Sequence, residues 1–369
     1  MKRKHWMYRL IKYFFEILMM FIVYVLCDAP GSKKYILIVL LTLYFLIAGR
    51  KKQWSVDAII CVFLPVIVYF FTGLIGTFIN ASEYIETIKT IIFWLIPLLF
   101  AFSLNVFYGE KMSRIVDVQF IGSCLAYLIP KGRFIMETIT VESMFAYAYG
   151  AFFTYYAYKK RWGFCAIAVV LMFLTDKRIV LLAAVLAVLI QGFLWLFRDD
   201  KRLTLGIWGI ASVIINLYLW LIYSGTLQAF CEGVGINTNG RTKMYGKVTE
   251  WFGQNFLMAG QGIGIVEILL SKWRVEDFAN LHNDLLKFHI ELGFLGLLLL
   301  LLSYGVVFYL VEKKYDASKM KIFLSMVIYT MILFATDNVS IYIIYLVPVY
   351  SIYFAVLAEK HPKEMIEKV

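Results

Sequence analysis

The sequence predicts an all-α, polytopic membrane protein, and three observations carry that reading. Hydrophobic residues occupy 62% of the 369 positions, with a mean hydropathy of +0.77. Charged residues make up only 17%, too few to coat a soluble exterior of this size. The apolar residues also gather into long runs separated by short basic clusters, which is how spans of about 20 residues and their flanks appear in a sequence. The formal charge of +11 therefore reads as a topology signal rather than a nucleic-acid-binding face.

The elements follow in order. The opening MKRKHWMYRLIK is basic, and the apolar run after it ends at Cys27-Asp28-Ala29-Pro30 without a small-x-small cleavage site. It is expected to be a first spanning helix, at 13–27, rather than a removable leader. Further spans are expected at 35–49, 56–79, 90–107, 115–129, 144–158, 163–174, 179–197 and 203–224. Three more follow at 285–310, 322–335 and 341–358, which makes about 12 transmembrane helices. Lys and Arg are more than three times as dense on the side holding both termini as on the other, so both termini are expected in the cytoplasm. The five cysteines form no CxxC pair, and neither a disulfide framework nor a metal site is implied.

This count leaves one large loop, 225–284, on the extracytoplasmic side. The organisation expected is helices 1–9 over 1–224, the loop over 225–284, and helices 10–12 with a cytoplasmic tail over 285–369. Loops of that length are usually functional or disordered. Trp251, Phe252, Phe256, Trp273 and Phe278 are too many aromatics for a disordered linker, so a small folded cap is expected.

Four polar stretches stand out, all expected at the outer face. "TDKR" (175–178) puts Lys177 and Arg178 where positive charge is disfavoured. They either snorkel to headgroups or pair with Asp176, or they face an anion at a helix N-terminus. "NGRTKMYGKVTEW" carries Arg241 after an Asn-Gly turn, with Thr242 as a candidate cap. "GQGIG" (Gly260, Gly262, Gly264) lacks the parallel-sheet unit of a nucleotide site and reads as a flexible or close-packed turn. "LHNDLLKFHIELG" places His282 and Asn283 at the mouth of the tenth helix, with Lys287, His289 and Glu291 carried into it. Lys287 and Glu291 are spaced i, i+4 and suit a neutralising pair. His282 and His289 share a face if the helix already includes 282. A neutral imidazole at the interface is a competent proton acceptor.

In this order the stretches resemble the O-antigen ligase and polysaccharide polymerase superfamily, over roughly residues 140–310. The marks are the short polar turn ending in Arg178, the "GR" at Gly240-Arg241, the "GxGxG" run, and "HNxxLxxxxExGxxG" from His282 to Gly296. The resemblance implies a GT-C-like bundle in a bacterial plasma membrane with an extracytoplasmic active site. It implies Arg178 and Arg241 as ligands of the diphosphate of an undecaprenyl-diphosphate-linked sugar, and His282 as the base that deprotonates the acceptor hydroxyl. Asn283, Glu291 and the three glycines would be supporting residues. Relatives often show Ser before the turn arginine. Here Asp176-Lys177 precedes it, so Lys177 shares the phosphate role or Asp176 pairs with Arg178.

The implied partners are a lipid-linked oligosaccharide donor and acceptor and the bilayer, with a flippase and a chain-length regulator as candidate protein partners. No nucleic acid, cofactor or metal is expected. Without an Asp-x-Asp sugar-nucleotide motif, the expected transfer is metal-independent and inverting. Polymerisation of repeat units for capsule, exopolysaccharide or O-antigen is the favoured activity, because nothing in the loop suggests recognition of a protein acceptor. The alternatives are ligation to lipid A core, a transferase built on Asp28, and a flippase for the same glycans.

Overall fold

A computed structural model describes residues 2–29, 33–50, 55–80, 84–138, 142–197, 201–238, 240–273 and 281–359, excluding the side chains at 2–5, 33, 133–138, 201 and 273. Asn239, Phe278, His361 and the side chains of His5 and Trp273 lie outside the described residues. The chain runs through α1 (Lys2–Asp28), α2 (Lys33–Gly49), α3 (Val56–Ile79), α4 (Tyr84–Tyr108) and α5 (Met112–Thr138). It continues through α6 (Phe145–Tyr158), α7 (Trp162–Leu174), α8 (Arg178–Leu196) and α9 (Lys201–Tyr223). Three short helices follow: α10 (Thr226–Val234), α11 (Arg241–Trp251) and α12 (Ile265–Trp273). The last three are α13 (Asp284–Lys314), α14 (Ala317–Phe334) and α15 (Ile343–Ala358).

Each of the twelve expected spans coincides with one of the helices α1–α9 and α13–α15. Among the described residues, seven helical runs are long and apolar enough to cross a membrane, with α4 and α5 joined into one run through a short 3₁₀ turn at Gly109–Lys111. The helices α2, α7 and α15 are apolar but shorter. No strand forms among the described residues. In lipid a backbone polar group has no water to bond, so helices that satisfy their own amides are the expected solution. Prolines sit inside α3, α4, α5 and α15, as neighbouring helices in a membrane permit.

The chain forms two compact units, each assembled from separate stretches. The first comprises residues 1–62, 95–193 and 342–369, and the second 63–94 and 194–341. In the first unit α1 packs along α5, and α6 packs on α7 and α15. Twelve of the fourteen α6 residues are buried. Its sequence, FAYAYGAFFTYYAY, alternates small residues with aromatics, so neighbours approach closely where Ala and Gly stand while the rings fill the gaps.

In the second unit the stretch expected as a folded cap forms α10, α11 and α12. The first two pack on α9, and α12 packs on α13. Helix α11 starts at Arg241 with Gly240 in the left-handed conformation (φ +76°) at its N-cap. Thr242, expected as the cap, is instead buried one position inside the helix, with its hydroxyl 3.0 Å from that of Thr238. Glycine wins the cap because the chain enters this helix at a positive φ, which costs Gly nothing.

The α1–α5 contact generates a prediction. A Cβ on Gly122 would stand 2.9 Å from Met20 Cβ and 3.0 Å from the Phe21 nitrogen. Gly122→Val is therefore expected to destabilise the protein by about 1–3 kcal/mol through overpacking, seen as a lower Tm in detergent. Gly132→Ala, where the added carbon meets nothing within 4 Å, leaves Tm unchanged or raises it.

Candidate active site

The head of α13 is held by its own side chains and by the turn that follows α14. Asn283 is the N-cap: its Oδ1 accepts the Leu286 N–H at 2.9 Å, and its Nδ2 donates to the Tyr218 hydroxyl at 2.9 Å. An Asn serves here because one end of the amide caps the helix while the other still has donors to spend. His282 therefore stands outside the helix, and the expected shared face with His289 does not arise. His282 adopts a left-handed backbone (φ +51°), uncommon for a residue with a Cβ and frequent where function fixes the chain.

Two contacts hold His282. Its Nδ1 lies 3.0 Å from Asp337 Oδ1, and its carbonyl accepts the Tyr245 hydroxyl at 3.1 Å. Burial pushes the Tyr245 phenol up to about 12, so it stays protonated and continues to donate. Asp337 is buried, and the Asn338 N–H donates to the same Oδ1 at 2.8 Å. Two residues further along the head of α13, Asp284 takes the Ser340 N–H and hydroxyl, both at 2.7 Å. The 337–340 turn thus fixes the imidazole from one side. With Nδ1 directed at a carboxylate, Nε2 is left as the proton-accepting nitrogen.

Arg241 anchors to the same turn. Its Nη1 donates to the Thr336 carbonyl at 2.9 Å, and no described carboxylate pairs with it. One of five donors is spent on position and the rest of the fork remains for an anion. Tyr245, one turn along α11, links the arginine's helix to the histidine's backbone. Arg241, His282 and Asn283 are therefore brought together within the second unit.

Lys177 and Arg178 belong to the first unit. Lys177 pairs with Glu142 at 2.5 Å, and its ammonium lies 5.8 Å from the Tyr147 ring centre. Arg178 opens α8 and is exposed, as is Asp176. No described carboxylate pairs with Arg178, so the pairing with Asp176 does not form.

Glu291 and the three glycines serve one another. Helix α13 is unwound at Gly293 (φ +71°, ψ +175°), which strands backbone groups of two adjacent turns. The 258–264 stretch takes them up: Gln261 N–H donates to Ile290 O at 2.9 Å and Gly262 N–H to Glu291 O at 3.0 Å. The freed Phe294 N–H reaches Met258 O at 3.0 Å. Glu291 holds the run from its side chain, accepting Gly264 N–H at 2.8 Å and the Tyr69 hydroxyl at 2.5 Å. The glycines are needed for closeness, since a Cβ on Gly260 would lie 2.6 Å from the Leu292 backbone and one on Gly262 2.6 Å from Thr77 Cα. Of the two readings open for this run, close packing holds.

Lys287 makes the expected pair with Glu291 and adds a closer one. Its nearer partner is Glu267 of α12, with Glu291 at 3.9 Å. His289 is fully buried, stacked on Phe256 at 5.0 Å, with Nδ1 2.9 Å from the Tyr223 hydroxyl.

Sequence reasoning missed Asp337, Tyr218 and Tyr245. A signal existed for the first: "TDN" at 336–338 is a polar triplet between two apolar runs, the same pattern that singled out "TDKR".

Residues 163–301 match the family model described as O-Antigen ligase, and no curated protein and no solved structure matches the chain. The family match bears out the resemblance drawn from residues 140–310. It includes every residue expected at the site, whereas Asp337 falls beyond its end.

The unwound turn is directly testable. Gly293→Ala places a Cβ 2.3 Å from the Gly260 nitrogen at a positive φ. Strain and overpacking together are expected to cost roughly 2–6 kcal/mol, seen as a Tm drop larger than that of Gly296→Ala, whose Cβ meets only the Leu292 side chain within 3 Å.

Proposed function

We propose, with the O-antigen ligase segment at residues 163–301 as the premise, that the chain is a membrane glycosyltransferase. It would move a glycan from an undecaprenyl-diphosphate carrier to the hydroxyl of a second lipid-linked repeat unit, at the outer face of the plasma membrane. The observation that carries this reading is the His282–Asp337 pair at 3.0 Å beside an arginine that has no carboxylate partner among the described residues.

In this reaction His282 Nε2 takes the proton of the acceptor hydroxyl as that oxygen bonds the anomeric carbon of the donor. The bond from the anomeric carbon to the diphosphate oxygen breaks, and the electron pair leaves on the diphosphate. Asp337 orients the ring and stabilises the imidazolium that forms. Charge grows on the leaving diphosphate, and the open fork of Arg241 binds it better in the transition state than in the ground state. Arg178, exposed at the start of α8, is the second proposed diphosphate ligand, and Lys177 a third. Attack from the side opposite the leaving group inverts the anomeric centre. No metal is assigned a part, because the arginines neutralise the departing charge.

A ligase reading is favoured by the description of the matching family and differs only in the acceptor, which would be lipid A core or another glycan acceptor.

The test is elongation of a lipid-linked oligosaccharide by the purified chain with EDTA present. A ladder of longer lipid-linked glycans is expected from wild type. Turnover should fall about 10²–10⁴-fold in His282→Ala and about 10²–10³-fold in Arg241→Ala. Asp337→Asn should lose about 10²-fold or more with donor binding retained. A ladder surviving these changes contradicts the reading. Product formed only on an added lipid A core acceptor makes the protein a ligase.

A further inference from the structure

A cavity that this chemistry leaves unused lies in the second unit, lined by α12, the head of α13 and the turn after α14. It encloses about 290 Å³, and its lining includes Glu267, Leu270, Asp284, Lys287, Asn338 and Ile341. Leu281 adjoins His282 and Asn338 adjoins Asp337, so two lining residues are chain neighbours of the proposed base and its carboxylate.

The hydrogen-bonding inventory of the walls is incomplete. Glu267 Oε1 accepts from Lys287, but Oε2 is shielded from solvent and has no partner among the described residues. The Asn338 backbone N–H reaches Asp337, while its side-chain amide has no partner among the described residues. The Lys287 side chain is 5% exposed and carries three donors, one of which goes to Glu267. Acceptors and donors therefore face the same small space, with Leu270 and Ile341 as an apolar wall. A buried acceptor left without a donor is costly, and a bound hydroxyl would supply the missing donor.

The mixture selects the ligand class. Two carboxylates against one ammonium disfavour a phosphate or a carboxylate. The ammonium in the same wall disfavours a simple cation. A hydroxyl both donates and accepts, and the C–H face of a sugar suits the leucine and isoleucine. The volume lies at the lower edge of the roughly 300–1,000 Å³ that encloses larger ligands, which limits the occupant to about one ring.

We propose that this cavity binds one sugar ring of the acceptor glycan and sets the register that brings the acceptor hydroxyl to His282. This rests on the transferase reading, which assigns His282 the acceptor proton. Asn338, Glu267 and Lys287 are then the residues that select among acceptor sugars.

The test uses the full chain in nanodiscs and, as probe, the free oligosaccharide released by mild acid from the lipid-linked glycan of the cells that natively make the protein. Binding is followed by saturation-transfer NMR in wild type, Asn338→Leu, Ser271→Trp and His282→Ala. Ser271 lines the cavity, and among the described residues its hydroxyl bonds only the Ile268 carbonyl of its own helix, so tryptophan there fills the space without removing a described polar partner from the cavity.

The expected result is binding to wild type and His282→Ala, weakened about tenfold or more in Asn338→Leu and Ser271→Trp. In elongation assays Asn338→Leu should raise the acceptor KM by a similar factor while kcat at saturation is retained. Two variants on different walls guard against one that fails to fold, checked by Tm. Equal binding by wild type and both folded variants, or no binding by wild type, overturns the proposal. Elongation by wild type in the same preparations tests the transferase reading separately: if it proceeds while both variants bind normally, only the sugar pocket falls.

Discussion

The second unit depends on how one broken turn is repaired. At Gly293 the longest helix of the chain stops being a helix for a residue. In a bilayer the stranded amides and carbonyls would each cost several kilocalories if left unbonded. The 258–264 run supplies the missing partners from its own backbone, with Gly260 lying against Leu292 while Gly262 and Gly264 let the run pass Thr77 and Glu86. Glu291 completes the repair by holding both Gly264 and Tyr69. An ionisable group in a membrane-length helix is expensive and normally marks function or pairing. Here it is fully buried and its side-chain oxygens are met by protein donors, with Lys287 at 3.9 Å.

That repair fixes the axis of the upper part of α13, and the axis fixes the site at its head. Three residues in succession, His282 to Asp284, tie down the start of the helix. One is held by Asp337 and Tyr245, the next caps the helix and reaches Tyr218, and Asp284 is clamped by Ser340. The 336–340 turn binds the arginine of α11, the histidine and the first helical carboxylate together. A base must be held to within a fraction of an ångström to be useful, and here backbone and side-chain contacts both contribute to that. His289, which had no assigned role, is part of the packing: it stacks on Phe256 and meets Tyr223.

Much of the fold was legible because it is dictated by hydropathy. Long apolar runs bounded by Lys and Arg locate helices whatever their neighbours, and the twelve expected spans each coincide with one. The polar residues at the head of α13 were legible for the opposite reason, being costly where they stand. What escaped was partner choice. Lys287 is spaced i, i+4 from Glu291, yet pairs more closely with Glu267 because α12 packs on α13, a tertiary fact without a local signature. The unwound turn was hidden for a similar reason: glycine in an apolar run is common in membrane helices, and only the approach of the 258–264 run reveals its use. Asp337 was overlooked because a single acid in a short turn between spans usually caps a helix or faces solvent. Its pairing with a histidine 55 residues earlier follows from the packing of α13 and α14.

The central claim is that His282 and Asp337 act as one unit. A double-mutant cycle on turnover of lipid-linked glycan tests it most directly, using wild type, His282→Ala, Asp337→Asn and the double variant at saturating donor. If the carboxylate works only through the imidazole, the double variant is no slower than His282→Ala alone. Losses that multiply, so that Asp337→Asn slows the enzyme by the same factor with or without His282, would contradict the account.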